Sequence, residues 1–179
     1  VLGLRTNCDY LMQALSAPAF ARPELATRWL GEASADWLPR VPDARWAAVA
    51  ATLLLHRRSR IFGPLALFSS SGQRDTPLSL AVDDKLFDLR AAYRHGEPVR
   101  VSVAGAQFEI EVRSDDGHQV QLIVDGAHDA ALCWLQRNDG WLDVGGICAA
   151  FVDRSQAPPE VDDPEGHGLI SSRMHGQLV

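Results

Sequence analysis

The sequence predicts an α+β, mainly β fold: an antiparallel β-barrel of about seven or eight strands wrapped around one central α-helix, with short helices ahead of it. Three observations carry that expectation. The stretch "PDARWAAVAATLLLHRRSR" is apolar nearly all the way round. From Leu78 onward the pattern changes to short alternating segments. Asp-Gly turn signals then recur at close intervals.

Taken in order, "LRTNCDYLMQALSAPAF" has helical spacing, with Leu11, Ala14 and Leu15 on one side and a stop at Pro18. Thr6 is a good N-cap, and Asp9 three places on completes a capping-box-like pattern. A short second helix is expected in "PELATRWL", with Pro23 in its first turn and an end near Gly31.

The central helix follows. Asp43 is suited to cap it, and Arg57 and Arg58 are placed in its last turn, where cations suit the negative end of the helix dipole. Between those ends Trp46, Ala47, Val49, Ala50, Leu53, Leu54 and Leu55 leave no polar stripe. A helix of that kind must be enclosed on every side, with Trp46, Val49, Leu53 and Leu54 as its core contacts.

The enclosing strands come next. "VRVSV" puts Val99, Val101 and Val103 on one face; "FEIEV" does the same with Phe108, Ile110 and Val112, and "VQLIV" with Val120, Leu122 and Val124. Asp116-Gly117, Asp125-Gly126 and Asp139-Gly140 are hairpin signals, Ala104-Gly105 is a lesser one, and Asp83-Asp84 reads as a turn. Gly145-Gly146 suggests a bulge or sharp corner. A meander with one apolar face buries that face by curling around the helix, which also removes most strand edges.

The connection "RIFGPLALFSSSGQRDTP" is long for a compact domain and carries Ile61, Phe62, Leu65, Leu67 and Phe68. Physics alone leaves two readings open: these side chains cap a barrel end, or they protrude as a partner-binding surface. After the strands, "SQAPPEVDDPEGHG" has the composition of an exposed linker.

Bulk properties narrow the function. With 179 residues and 46% hydrophobic content, the chain can bury one substantial core. A net charge of −6 argues against a nucleic-acid partner. The longest apolar run is too short for a membrane span of about 20 residues. Cys8, Cys133 and Cys148 form no paired spacing, which fits a reducing compartment, cytoplasmic in a bacterium or the mitochondrial matrix. No phosphate-binding loop or GxSxG elbow occurs, and the histidines at 56, 95, 118, 128, 167 and 175 lack metal-ligand spacing. Cys133 and Cys148 lie in strand-like stretches and read as buried structural thiols. No acid/base or nucleophile constellation stands out, so no catalytic residue is assigned.

Three stretches then resemble one family. "GLRTNCDYLMQALSAPAF" with "ATRWL" resembles the last helices of the biotin carboxylase part of biotin-dependent acyl-CoA carboxylase α-subunits. The pattern there is Gly-Leu/Val-x-Thr-Asn-x-x-Phe-Leu, then Pro-x-Phe and Thr-x-Phe-Ile. Gly3, Leu4, Thr6, Asn7, Leu11, Pro18 and Phe20 match it, while Tyr10 and Trp29-Leu30 depart from it. The terminal "SRMHGQLV" is similar to the opening strand of a biotin carrier domain, matching at Met174, Gly176 and Val179 and departing at Arg173 and His175. Between such segments these subunits hold the BT domain, a helix in an antiparallel barrel that docks onto the carboxyltransferase subunit.

The resemblance implies a layout. Residues 1–30 would end the biotin carboxylase domain, 31–155 would be the BT-type domain, 156–168 a linker, and 169–179 the first strand of a truncated carrier domain. The chain would then be a piece of a longer α-subunit, non-catalytic in itself. The parent would be a ligase using biotin, ATP and a divalent metal such as magnesium, none of them bound within this piece. The expected partners are the carboxyltransferase β-subunit and α-subunit neighbours in a hetero-oligomer. The connection from Arg57 to Thr76 corresponds to the family's partner-gripping hook, which favours Phe62, Leu65, Leu67 and Phe68 as contact residues. Ser69-Ser70-Ser71-Gly72 is more similar to methylcrotonyl-type subunits than to propionyl-type ones.

A second expectation is an enzyme, a hotdog-type acyl-CoA thioesterase, which also curls a sheet around a helix. In that fold strand sequence precedes the central helix, whereas here the helix comes first. A barrel holding a small apolar ligand conflicts with a lumen filled by Trp46 and the leucines.

Overall fold

In a computed structural model the described residues are 2–3, 7–22, 27–33, 40–62, 74–94 and 97–156, with the backbone alone described at a few positions including Phe62 and Val99. Three helices precede all the strands: α1 (Cys8–Ser16), α2 (Thr27–Ala33) and α3 (Ala44–Phe62). Nine strands follow, β1 (Arg74–Val82), β2 (Lys85–Arg94), β3 (Glu97–Val103), β4 (Ala106–Phe108), β5 (Ile110–Asp115), β6 (Gln119–Val124), β7 (Ala127–Gln136), β8 (Asp139–Val144) and β9 (Ile147–Asp153). All pairings are antiparallel and form one sheet in the order β4-β3-β2-β1-β9-β8-β7-β6-β5, a nearly closed barrel.

The two ends of that order, β4 and β5, are separated in the chain by Glu109 alone. They behave as one strand broken at a bend, the first half pairing with β3 and the second with β6. The stretch expected as a continuous strand from Phe108 to Val112 is therefore split, because one straight strand cannot serve both neighbours around so tight a turn of the wall. Glu109 is stitched at the joint: its N–H donates to the Asp125 carboxylate at 2.8 Å, and its carbonyl accepts the Asp125 N–H at 2.8 Å. Counting the bent pair once gives eight strands, the upper end of the expected number.

Closure on the other side is brief. The first and last strands pair only at Leu80↔Asp153 and Ala81↔Val152, extended by the Arg154 N–H on the Ser79 carbonyl at 2.8 Å. Among the described residues, five tight turns lie where two residues remain between paired strands. Asp125-Gly126 has φ of 51° and 81°, and Ala104-Gly105 has 50° and 80°, the left-handed geometry that matches strand twist. Gly145-Gly146, expected as a bulge or corner, is itself a two-residue hairpin turn with both φ positive. Asp139-Gly140 is the opposite case: the turn is Arg137-Asn138, and Asp139 and Gly140 already belong to β8.

Helix α3 occupies the lumen. Every residue from Trp46 to Leu55 is at most 3% exposed, which includes the expected contacts Trp46, Val49, Leu53 and Leu54. Four alanines in that stretch (Ala47, Ala48, Ala50 and Ala51) keep the helix slim enough for eight strand positions to surround it. The one polar member, Thr52, returns its hydroxyl to the Ala48 carbonyl at 2.9 Å, so no hydrogen-bonding group is stranded. Trp46 fills the space towards β9, meeting the Phe151 ring edge-on at 6.0 Å and donating its indole N–H to the Ile147 carbonyl at 3.0 Å. The inward residues Leu80, Val101, Val120, Leu122 and Leu142 complete the core.

Local expectations fare unevenly at the helix ends. Asp43 caps α3 as expected, accepting the Trp46 N–H at 2.8 Å. The helix does not end at Arg57-Arg58 but runs four residues further, and β1 begins at Arg74, so the connection shortens to 63–73. At α1 the expected cap, Thr6, lies outside the described residues. Asp9 does not serve as a capping partner: its carboxylate takes the Arg40 N–H at 2.8 Å and the Gln13 amide at 3.1 Å, and pairs with the Arg40 guanidinium. Helix α1 ends at Ser16, just before Pro18, whereas α2 continues through Gly31 to Ala33; Pro23 lies outside the described residues.

Gly140 has a role that its turn-like neighbour concealed. A Cβ there would overlap Leu135 and come within 2.7 Å of the Phe151 ring, which Trp46 already holds in place. Gly140→Ala is expected to destabilise the barrel by about 1–3 kcal/mol through overpacking. Denaturant midpoints for the two proteins measure this, and an unchanged midpoint would show that Phe151 can move aside.

Candidate functional site

The expected site residues bear on one end of the barrel, where α3 emerges. Ile61 is 77% exposed there, and Phe62 closes the helix, its side chain outside the description. Leu65, Leu67 and Phe68 lie outside the described residues, as do the linker from 157 onward and the terminal segment 169–179. The site can therefore be built from its two anchored ends, Phe62 and Arg74, and from the mouth between them.

The mouth is held by ion pairs rather than by apolar packing. Arg57 sends two parallel hydrogen bonds, each 3.0 Å, to the Asp115 carboxylate at the end of β5. Its Nη2 also lies 2.8 Å from the Cys133 sulfur. Arg60, on the next turn, donates to the Asp115 carbonyl at 3.3 Å. Arg58 points to the other side, 2.6 Å from the Asp153 carboxylate at the end of β9 and 3.1 Å from the Asn138 side-chain oxygen. Both carboxylates are almost wholly buried, with side-chain exposures of 2% and 3%.

Arg57 and Arg58 do not take the helix-dipole place expected of them in the last turn of α3. In the structure they stand a turn earlier than the helix end and fix α3 to opposite sides of the barrel rim. The signal available in the sequence was the pair itself; what it lacked was the location of Asp115 and Asp153, 58 positions or more downstream. At the far end of α3 a similar contact, Arg45 to Asp129 at 2.6 Å, ties the helix to β7. The helix is thus fixed at both ends, and the departure direction of the chain at Phe62 is fixed with it.

Burial alone would raise the Asp115 pKa. The Arg57 hydrogen bonds, the Gly117 N–H and the positive charge of Arg57, with the His56 ring nearby, outweigh it and hold the carboxyl below its ordinary range. Cys133 shows the reverse: burial pushes its thiol up to about 11, the nearby Arg57 notwithstanding. At neutral pH such a thiol is almost wholly un-ionised, and the side chain packs in the core from β7. Cys148, on the outward face of β9, is likewise raised by burial.

Beside the mouth lies an open recess of about 330 Å³, lined by Arg57, Arg60, Ile61, Asp115, Asp116 and Gly117. Its walls mix two cations, two carboxylates and one isoleucine, with Arg57 and Asp115 already paired to each other. Among the described residues no three His, Cys, Asp or Glu side chains gather as a metal site would require. No described helix is long and apolar enough to cross a membrane.

Asp115 gives the site a pH signature. Its folded pKa lies below its unfolded value, so its contribution to stability is complete above the unfolded value of about 3.9 and is lost as pH falls through the lower folded value. Asp115→Asn should cost about 3 kcal/mol at pH 7, since it leaves a largely buried guanidinium without its charge partner. The variant should also lose less stability than the parent between pH 5 and 2. Parallel acid limbs in the two proteins would contradict this account of the mouth.

No family model matches the chain, and no characterised protein matches it in sequence.

Proposed function

We propose that this chain is a non-catalytic docking module of a biotin-dependent acyl-CoA carboxylase α-subunit, joining it to the carboxyltransferase β-subunit. The observation that carries the proposal is a helix wrapped by a barrel and locked to its rim by Arg57 and Arg58, with the exposed Ile61 leading into an apolar connection. A connection of that composition, between the central helix and the first strand of one barrel, suits the gripping of a partner. Phe62, Leu65, Leu67 and Phe68 are the proposed contact residues. In the parent, biotin, ATP and a divalent cation such as magnesium would serve a carboxylation carried out by other segments, of the methylcrotonyl type by the serine-rich stretch after the helix. The thioesterase alternative has less support, because all nine strands follow the helix and α3 bears no Asp or Glu.

Mixing the chain with the carboxyltransferase β-subunit of the same genome is expected to give co-elution and measurable affinity. Phe62→Asp with Phe68→Asp should weaken that affinity at least a hundredfold while the thermal unfolding of the barrel stays unchanged. Retained affinity in the double variant would remove the connection as the contact. Absence of binding together with hydrolysis of an acyl-CoA panel would favour the thioesterase instead.

A further inference from the structure

The outer wall of the barrel is not uniformly polar. The strand registers place the cross-strand pair Trp134 and Trp141 on the outside of β7 and β8, beside Ala150 of β9. One row nearer the mouth, Val152 of β9 and Ala81 of β1 lead to Leu86 of β2. Leu132 and Trp134 are each 41% exposed and Leu86 is 58% exposed. An apolar band therefore crosses five neighbouring strands, on a face that strand alternation would ordinarily make polar.

Three carboxylates stand along the border of the band, with exposed Arg154 and Arg137 beyond Val152 and Asp139 on the mouth side. Asp139 and Asp143 flank Trp141 along β8, and Asp84 stands at the tip of the β1–β2 turn, level with the tryptophan row. Among the described residues none of these three carboxylates is paired with a cation. Four strand-to-strand steps give the band a length of about 19 Å, the rise of roughly 13 helical residues.

We infer that this face binds an amphipathic helix of a partner protein, one whose apolar stripe is bordered by Lys and Arg. The stripe would lie across the strands over Trp134 and Trp141, and its cations would meet Asp84, Asp139 and Asp143. Trp is the residue type most enriched among interface hot spots, and unpaired carboxylates at the border select a basic partner and disfavour an acidic one. A second copy of this chain is a poor occupant, because its own border would bring the same carboxylates together and its net charge is −6. The inference stands apart from the identity of the partner proposed above, since it rests on the wall rather than on the connection at the mouth.

The test uses the full 179-residue chain and three 14-residue peptides: a helix with a leucine stripe flanked by lysines, the same helix with glutamates, and a scrambled leucine/lysine sequence. Titration calorimetry should show binding of the first alone, weakening at least tenfold between 50 and 300 mM salt. Trp134→Thr with Trp141→Thr should reduce affinity at least tenfold, and Asp139→Asn with Asp143→Asn should flatten the salt dependence. Should the tryptophan variant unfold, Leu132→Thr, at an exposed strand position, provides the same comparison. Equal binding of the scrambled peptide, or unchanged affinity in the variants, would overturn the inference. So would sedimentation showing dimers that dissociate in the Trp134 variant, which would make the occupant a second copy.

Discussion

A helix with no polar side must be surrounded completely, and the rest of this structure answers that requirement. Ten consecutive residues, Trp46 to Leu55, are removed from water. At about 25 cal/mol per Å² of apolar surface, leaving even one face of such a helix open would forfeit several kcal/mol, comparable to the whole stability of a domain. An open sheet cannot cover it. The strands therefore run round until β1 meets β9, and the short pairing between those two is enough because the core, not the ladder, supplies most of the free energy. The bend at Glu109 follows from the same constraint: the wall has to turn towards β6 while it still pairs with β3.

Packing within the lumen is uneven, and that unevenness explains individual residues. The helix lies closest to β3, so the opposite side is filled by Trp46 and Phe151. Phe151 in turn leaves no room for a side chain at position 140. A glycine inside β8 is thus a consequence of a large ring on β9, which is itself a consequence of a helix made slim by alanines.

Where the helix leaves the barrel, apolar packing gives way to charge. Arg57 and Arg58 diverge to Asp115 and Asp153, two carboxylates taken almost wholly out of water. Pairs of this kind contribute little net stability compared with apolar contacts of equal volume, but they fix geometry, because breaking either leaves a buried charge. Their position gives that specificity a use. They set the orientation of the helix end from which the apolar connection departs, and they stand next to the outer wall that carries Trp134 and Trp141. The mouth and the wall form adjoining surfaces, one polar at its base and the other apolar.

By itself the sequence determined the features that depend on neighbouring residues. The all-round apolar helix and its Asp43 cap were legible because they rest on helical spacing and local hydrogen bonds. The inward sets Val101-Val103 and Val120-Leu122-Val124 were legible because strand alternation is a local geometry. The same holds for the Asp125-Gly126 and Ala104-Gly105 turns, whose left-handed φ values few other pairs adopt. Tertiary structure alone decided which strand closes on which, where the strand at Glu109 breaks, and what Arg57, Arg58 and Gly140 are for. Each of those depends on a partner far away in the chain: Asp115, Asp153 or Phe151. The tryptophan wall was illegible for the same reason. Trp134 and Trp141 are seven residues apart, and only the register of β7 with β8 places them side by side on the outer face.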